Sequence, residues 1–144
     1  MESLTAALVQ AKSKTDNLKM ITSLSVWSIG FHDVSILRQM VSLEIVSLPV
    51  NRISTLKDFQ GLAKLRELSV RDNCIRDLRE LLYLRNCKAL ENIWIVGNPC
   101  AEAANARITA IAILPQLKKL NNIEITQNER QQSLNIDLEQ IENP

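Results

Sequence analysis

With 144 residues, 46% of them hydrophobic and only 3 Gly and 4 Pro, the chain holds enough apolar material for one domain and too little for a catalytic domain beside it. Its 17 basic residues against 16 acidic ones exclude a strongly charged nucleic-acid surface, and the excess is local: 13 basic against 8 acidic over 38–119, then 1 against 5 over 120–144. No apolar run approaches the roughly 18 residues needed to span a bilayer, and the opening MESLTAALVQAKSK lacks the basic start and apolar stretch of a signal peptide.

In chain order, SLTAALVQAK places Leu4, Leu8 and Ala11 at i, i+4 and i+7, which predicts an amphipathic capping helix within 1–20. Next comes a repeat. LEIVSLPVNRI (43–53) has apolar residues at offsets one, four, six and eleven and an asparagine at nine. LRELSVRDNCI (65–75) and LENIWIVGNPC (90–100) follow the same arrangement, the last with Cys100 in the final apolar slot. ITSLSVWSIGF (21–31) is a degenerate copy with Ile29 where the asparagine belongs, and LKKLNNI from Leu117 begins a fading fifth. Starts at 21, 43, 65, 90 and 117 give periods of 22, 22, 25 and 27 residues, within the range of leucine-rich repeats.

Offsets four and six are two apart, so they share one face of a short strand, and that face is the core. After the strand the chain bends, and the backbone groups in the bend have no ladder partner. A carboxamide both donates and accepts, so Asn51, Asn73 and Asn98 are expected to form a hydrogen-bonding ladder beneath the bends. Return segments carry apolar residues about three apart, Leu56, Phe59 and Leu62, then Leu78, Leu81 and Leu84, which predicts helical or 3₁₀ turns on the convex side. Behind the fourth coil, the alanine-rich stretch 101–114 predicts a helix ending at Pro115. TQNE (126–129) fits a capping box opening a helix over 126–144 with Leu134, Leu138 and Ile141 on one face. The expected fold is an α/β leucine-rich repeat solenoid forming a single domain over 1–144. About five repeats including the end cap occupy 21–125, parallel strands line the concave side, and capping helices close both ends.

Chemistry is hard to find in this pattern. His32, the single histidine, stands beside Asp33 but has no nucleophile at a readable spacing, and no phosphate loop, paired CxxC or HExxH is present. Cys74, Cys87 and Cys100, spaced by 13, match neither a metal set nor a closed disulfide framework; Cys87 and Cys100 read as small buried hydrophobes and Cys74 as half-exposed, in a reduced setting. No catalytic residue, metal or cofactor is expected. Protein binding is the better expectation. Offsets three, five and seven point to the concave surface, which assigns Trp27, Ile45, Ser47, Pro49, Glu67, Ser69, Arg71, Asn92 and Trp94 to a shallow groove with tryptophans at its ends and serines on its floor. A helix or an extended peptide would suit it.

Beyond the generic repeat, SVW (25–27) with HDVS (32–35), SLEIVSLPVNRISTL (42–56), ELLYLRN (80–86) and WIVGNPC (94–100) resemble the N-terminal leucine-rich repeat domain of the cilia- and flagella-associated protein 410 family, over about residues 4–135. The resemblance implies a non-enzymatic, cytoplasmic component of the cytoskeleton at the ciliary or flagellar basal body, needed for cilium assembly, with a NIMA-related kinase among its protein partners. It also implies a helical oligomerisation segment beyond Pro144, so the present chain reads as a monomeric N-terminal fragment; its composition leads us to expect no nucleic-acid partner and no membrane span. The chain departs from that family at Asn121 and Asn122, which follow Leu120 where an aspartate is usual, and at Arg107, which lacks a neighbouring tyrosine. Two other repeat scaffolds share the period: a nuclear RNA-processing protein like the spliceosomal leucine-rich repeat protein, and a phosphatase-regulatory repeat domain.

Overall fold

The computed structural model describes residues 3–13 and 15–142. Six short strands, β1 (Ser23–Ser25), β2 (Ile45–Ser47), β3 (Glu67–Ser69), β4 (Asn92–Trp94), β5 (Lys119–Leu120) and β6 (Ile123–Glu124), form one sheet in sequence order. The first five are parallel, and β6 folds back antiparallel on β5. Leu24, Val46, Leu68, Ile93 and Leu120 lie in one row across the sheet, and all five are buried. Their neighbours on either side face the other way, as the period of two along a strand requires.

Between strands the chain returns through 3₁₀ turns at Ser35–Gln39, Lys57–Phe59 and Leu78–Leu84, with a fourth at Pro99–Glu102. Three residues per turn put every third side chain on one face, and Leu56, Phe59, Leu62, Leu81 and Leu84 are buried accordingly. Each fully buried Leu, Ile or Phe stabilises the fold by about 1.5–3 kcal/mol. The second coil alone buries Leu43, Val46, Leu48, Ile53, Leu56, Phe59 and Leu62, and one continuous cluster runs from Leu4 to Leu120. The chain is an α/β leucine-rich repeat solenoid.

The residue just before the asparagine position is left-handed in the first four coils: Ser28, Val50, Asp72 and Gly97 have φ of 60°, 57°, 56° and 82°. At Gly97 the requirement is steric as well, because a Cβ there would lie 2.0 Å from Asp72 Oδ1 and 3.0 Å from the Asp72 nitrogen.

The caps depart from the expected helices. At the front, α1 (Ala6–Lys12) is capped by Thr5, whose hydroxyl accepts from the Leu8 N–H at 3.2 Å. Leu4 precedes it in extended backbone, donating to the Asp33 carbonyl at 2.8 Å, so the helical period begins after Leu4. Val9, not Ala11, is therefore the helix's buried residue, with Leu8 half-buried and Ala11 exposed. The helix is also shorter than the 1–20 expected, and a 3₁₀ turn occupies Leu18–Met20; residues 1, 2 and 14 lie outside the described residues.

The stretch 101–114 is not one helix. The 3₁₀ turn continues to Glu102, left-handed Asn105 (φ 59°) breaks the path, and α2 (Ala106–Ile113) follows. The stretch from 126 likewise splits into α3 (Gln127–Ser133) and α4 (Leu138–Glu142), with 143 and 144 outside the described residues. Asp137 Oδ1 accepts from the Glu139 N–H at 3.1 Å and restarts the helix after the break. Leu138 and Ile141 pack against the core, but Leu134 does not share their face and is 82% exposed.

Candidate concave interaction site

Backbone bonds extend the ladder beyond the assigned strands: Val26 and Ser28 donate to Ser47 and Pro49, Leu48 and Val50 to Ser69 and Arg71, and Val70 and Asp72 to Trp94 and Val96. The offset-seven residues Trp27, Pro49, Arg71 and Val96 therefore stand side by side, as do Ser25, Ser47, Ser69 and Trp94 at offset five. Ile45, Val46, Ser47, Glu67, Ser69, Arg71 and Trp94 line a shallow depression of about 250 Å³. Trp27 lies at the first-strand end of its row and is 63% exposed, while Trp94 is half-buried.

Two of the residues assigned to this surface are not available on it. Pro49 is buried between Trp27 and Arg71 in its row, and its carbonyl accepts from Ser28 N at 3.1 Å and Asn51 Nδ2 at 3.2 Å. Asn92 is buried because the β5–β6 turn closes over it: its Nδ2 donates to Asn122 Oδ1 at 3.2 Å, and its Oδ1 accepts from the Asn122 N–H at 3.3 Å. Lys119, exposed and next to Asn92 in the register, was missed; the signal lay in the faded fifth repeat, whose third position it occupies.

Beneath this face runs the amide ladder. Asn73 Oδ1 accepts from Ile53 N at 3.0 Å, and its Nδ2 faces the carbonyls of Leu48, Val70 and Arg71 at 3.0–3.1 Å. Asn98 does the same for Ile75 N, Val70 O and Ile95 O. Asn51 compensates for the absent asparagine at 29 by accepting from Ile29, Gly30 and Phe31 together, at 3.3, 2.9 and 3.2 Å. Asn121, left-handed at φ 53°, ends the series: its Oδ1 takes the N–H groups of Ile95 and Val96.

Charge on the concave surface is sparse. Arg71 Nη1 pairs with Asp72 at 2.7 Å, and Glu67 has no ion-pair partner among the described residues. The dominant ionic cluster sits instead at the end cap. Arg107 on α2 holds both Glu129 oxygens and donates to the carbonyls of Leu120, Ile123 and Glu124, tying α2, the β5–β6 turn and α3 together. The Arg107 guanidinium, aided by the Thr126 N–H, lowers the Glu129 carboxyl from 4.5 to about 2.

Among the described residues no hydrogen bond joins His32 to Asp33. The Asp33 carboxylate accepts from the Ser35 N–H at 2.9 Å, and that bond holds its pKa below the usual carboxylate value. Burial pushes the thiols of Cys87 and Cys100 up, away from reactivity; Cys74 is half-exposed, and all three are free. Among the described residues no group of three ligating side chains could hold a metal, and no helix is long and apolar enough to cross a membrane.

No family model matches the chain. It is 36% identical over 133 residues to cilia- and flagella-associated protein 410 of Mus musculus, covering 91% of this chain and 53% of that protein. The Homo sapiens protein of the same name is also 36% identical, with 91% and 52% covered, so the chain spans about half the length of these curated relatives. Among solved structures, a chain of the Drosophila melanogaster SNF/U2A′ complex superposes with a TM-score of 0.77 over 93% of this chain and 91% of that one, at 20% identity, a likeness of fold alone.

Proposed function

The chain is a leucine-rich repeat domain related to cilia- and flagella-associated protein 410, and from that premise we propose that it is a non-catalytic interaction module of the cilium or flagellum. In this reading it serves assembly at the basal body and engages protein partners through its concave face. The observation that carries it is the pairing of that relationship with an open sheet face that presents Trp27 and Trp94. Interface energy concentrates in tryptophan and arginine anchors set among small residues, and here Trp27, Arg71 and Trp94 surround Ser25, Ser47 and Ser69. A NIMA-related kinase and basal-body proteins are the partner classes this reading carries. A nuclear RNA-processing role has less in its favour: the shared fold, and 33% identity over 66% of this chain to U2 small nuclear ribonucleoprotein A′ of Mycosarcoma maydis, against 36% over 91% for the ciliary relatives.

The test replaces the native protein, in its own cells, with a tagged full-length copy carrying either the native sequence or Trp27→Ala with Trp94→Ala. The native copy is expected at the base of the cilium or flagellum, restoring its length. The double variant should be present at normal level yet fail in both respects. A nuclear native copy, or full restoration by the double variant, would reject the proposal.

A further inference from the structure

The concave face has a width, a floor and, at its third coil, a charge on each side, with Lys119 standing two strands farther along the Glu67 side. Glu67 on β3 and Arg71 in the turn just past it stand four residues apart, hence at most about 13 Å apart at the backbone. A helix with its side chains is about 10–12 Å across. Ser25, Ser47 and Ser69 lie side by side between those flanks, on strands about 4.8 Å apart, so the serine row is roughly 10 Å long, close to two helical turns. Trp94 closes this row on the fourth strand, and Ile45 provides an apolar contact beside it.

We infer that the concave face takes an amphipathic α-helix of a protein partner, its axis crossing the strands, its apolar stripe on the serine row and Trp94, a basic residue on the Glu67 flank and an acidic residue on the Arg71 flank. This rests on the concave face being the binding surface, as proposed above, and adds the shape and charge of what it binds. Glu67 is without an ion-pair partner among the described residues, and Arg71 uses one of its five donors on Asp72, so both flanks have capacity to spare. Charges at such a rim set which partner is accepted more than how tightly it is held. An extended strand would leave one or both flanks unmet, because a single strand is narrower than the space between them.

Synthetic helices of about 18 residues, long enough to be helical alone, supply the probe. Each carries the same leucine stripe, flanked by Glu on one side and Lys on the other, by Glu on both, or by Lys on both. Titration calorimetry against the folded protein should rank the mixed peptide first by about fivefold to tenfold, a preference that shrinks in high salt. Glu67→Lys should shift the preference to the doubly acidic peptide and Arg71→Glu to the doubly basic one. A ranking that ignores both variants, or equal binding by a proline-broken peptide of the same composition, overturns the inference. So does binding by none of the peptides. If the peptides fail while the tryptophan variant still loses the ciliary base, only the helix reading falls; if that variant also localises normally, concave docking falls with it.

Discussion

Asn73→Ala isolates one rung of the ladder. Three of the four bonds it removes are to carbonyls that keep another donor: Leu48 O retains Asn51 Nδ2 at 3.1 Å, Val70 O retains Asn98 Nδ2 at 2.8 Å, and Arg71 O retains Val50 N at 3.1 Å. The Ile53 N–H, by contrast, loses its acceptor in a buried site. An orphaned buried amide costs about 1–3 kcal/mol, and weakening the carbonyl bonds adds somewhat more, so the expected loss is about 2–4 kcal/mol. In a chain of this size that lowers Tm by roughly 6–12 °C. Urea unfolding followed by far-ultraviolet circular dichroism measures it. Asn73→Asp sharpens the test: it keeps an acceptor for Ile53 but turns a carboxylate oxygen toward carbonyls, which favours the neutral acid and raises its folded pKa. Its deficit should be largest at neutral pH and narrow relative to the native chain as pH falls through that pKa. A loss below about 0.5 kcal/mol for Asn73→Ala would refute the ladder as a source of stability.

The end cap yields a pH prediction. The folded pKa of Glu129, about 2, lies below its ordinary 4.5, so its contribution is complete above roughly pH 5 and is lost as pH falls toward 2. Arg107→Ala should cost about 2–3 kcal/mol at pH 7 after allowing for partial solvent screening, and the gap between native and variant should narrow as pH falls toward 2 without closing, because the bonds to the Leu120, Ile123 and Glu124 carbonyls do not titrate. Gly97→Ala places a Cβ against Asp72 and a methyl side chain in left-handed backbone, for an expected loss of about 2–3 kcal/mol by the same unfolding assay; adding Asp72→Ala should recover part of it. Trp27→Ala should shift Tm by less than about 2 °C, and Trp94→Ala only slightly more, because neither side chain is in the core. A drop of many degrees for either would make that tryptophan structural.

Legibility followed how local each determinant was. The strand columns could be read because side chains alternate within a few residues, and the same alternation put Trp27, Ser69 and Trp94 on the sheet's outer face. Asn92 obeys that alternation yet is buried, because Asn122, thirty residues later, covers it. Pro49 is buried by its place between Trp27 and Arg71, a matter of neighbouring coils and not of its own strand. Arg107 looked solitary because its five bonds go to residues 13–22 positions later. The helix breaks at Asn105 and after Ser133 were missed for the opposite reason: alanine-rich and polar stretches with high helix propensity carry no Gly or Pro to mark where tertiary packing interrupts them.

Each rung of the ladder also has a direction. Asn51 accepts from Ile29, Gly30 and Phe31, Asn73 from Ile53, and Asn98 from Ile75, always one coil back. For a chain emerging from the ribosome amino end first, every newly exposed coil therefore waits for the next 20-odd residues before its bend can close. The wait ends at the fourth coil, where the equivalent amide, Cys100 N, donates back to the Ile75 carbonyl at 3.0 Å, and Asn121 then takes the amides of Ile95 and Val96 just past β4. A nascent chain halted before Asn121 holds every earlier bend closed and only the edge of its final strand bare. The protein is thus completed one coil behind its own synthesis, with β5 covering the edge of the fourth strand and Asn121 closing the bend beside it.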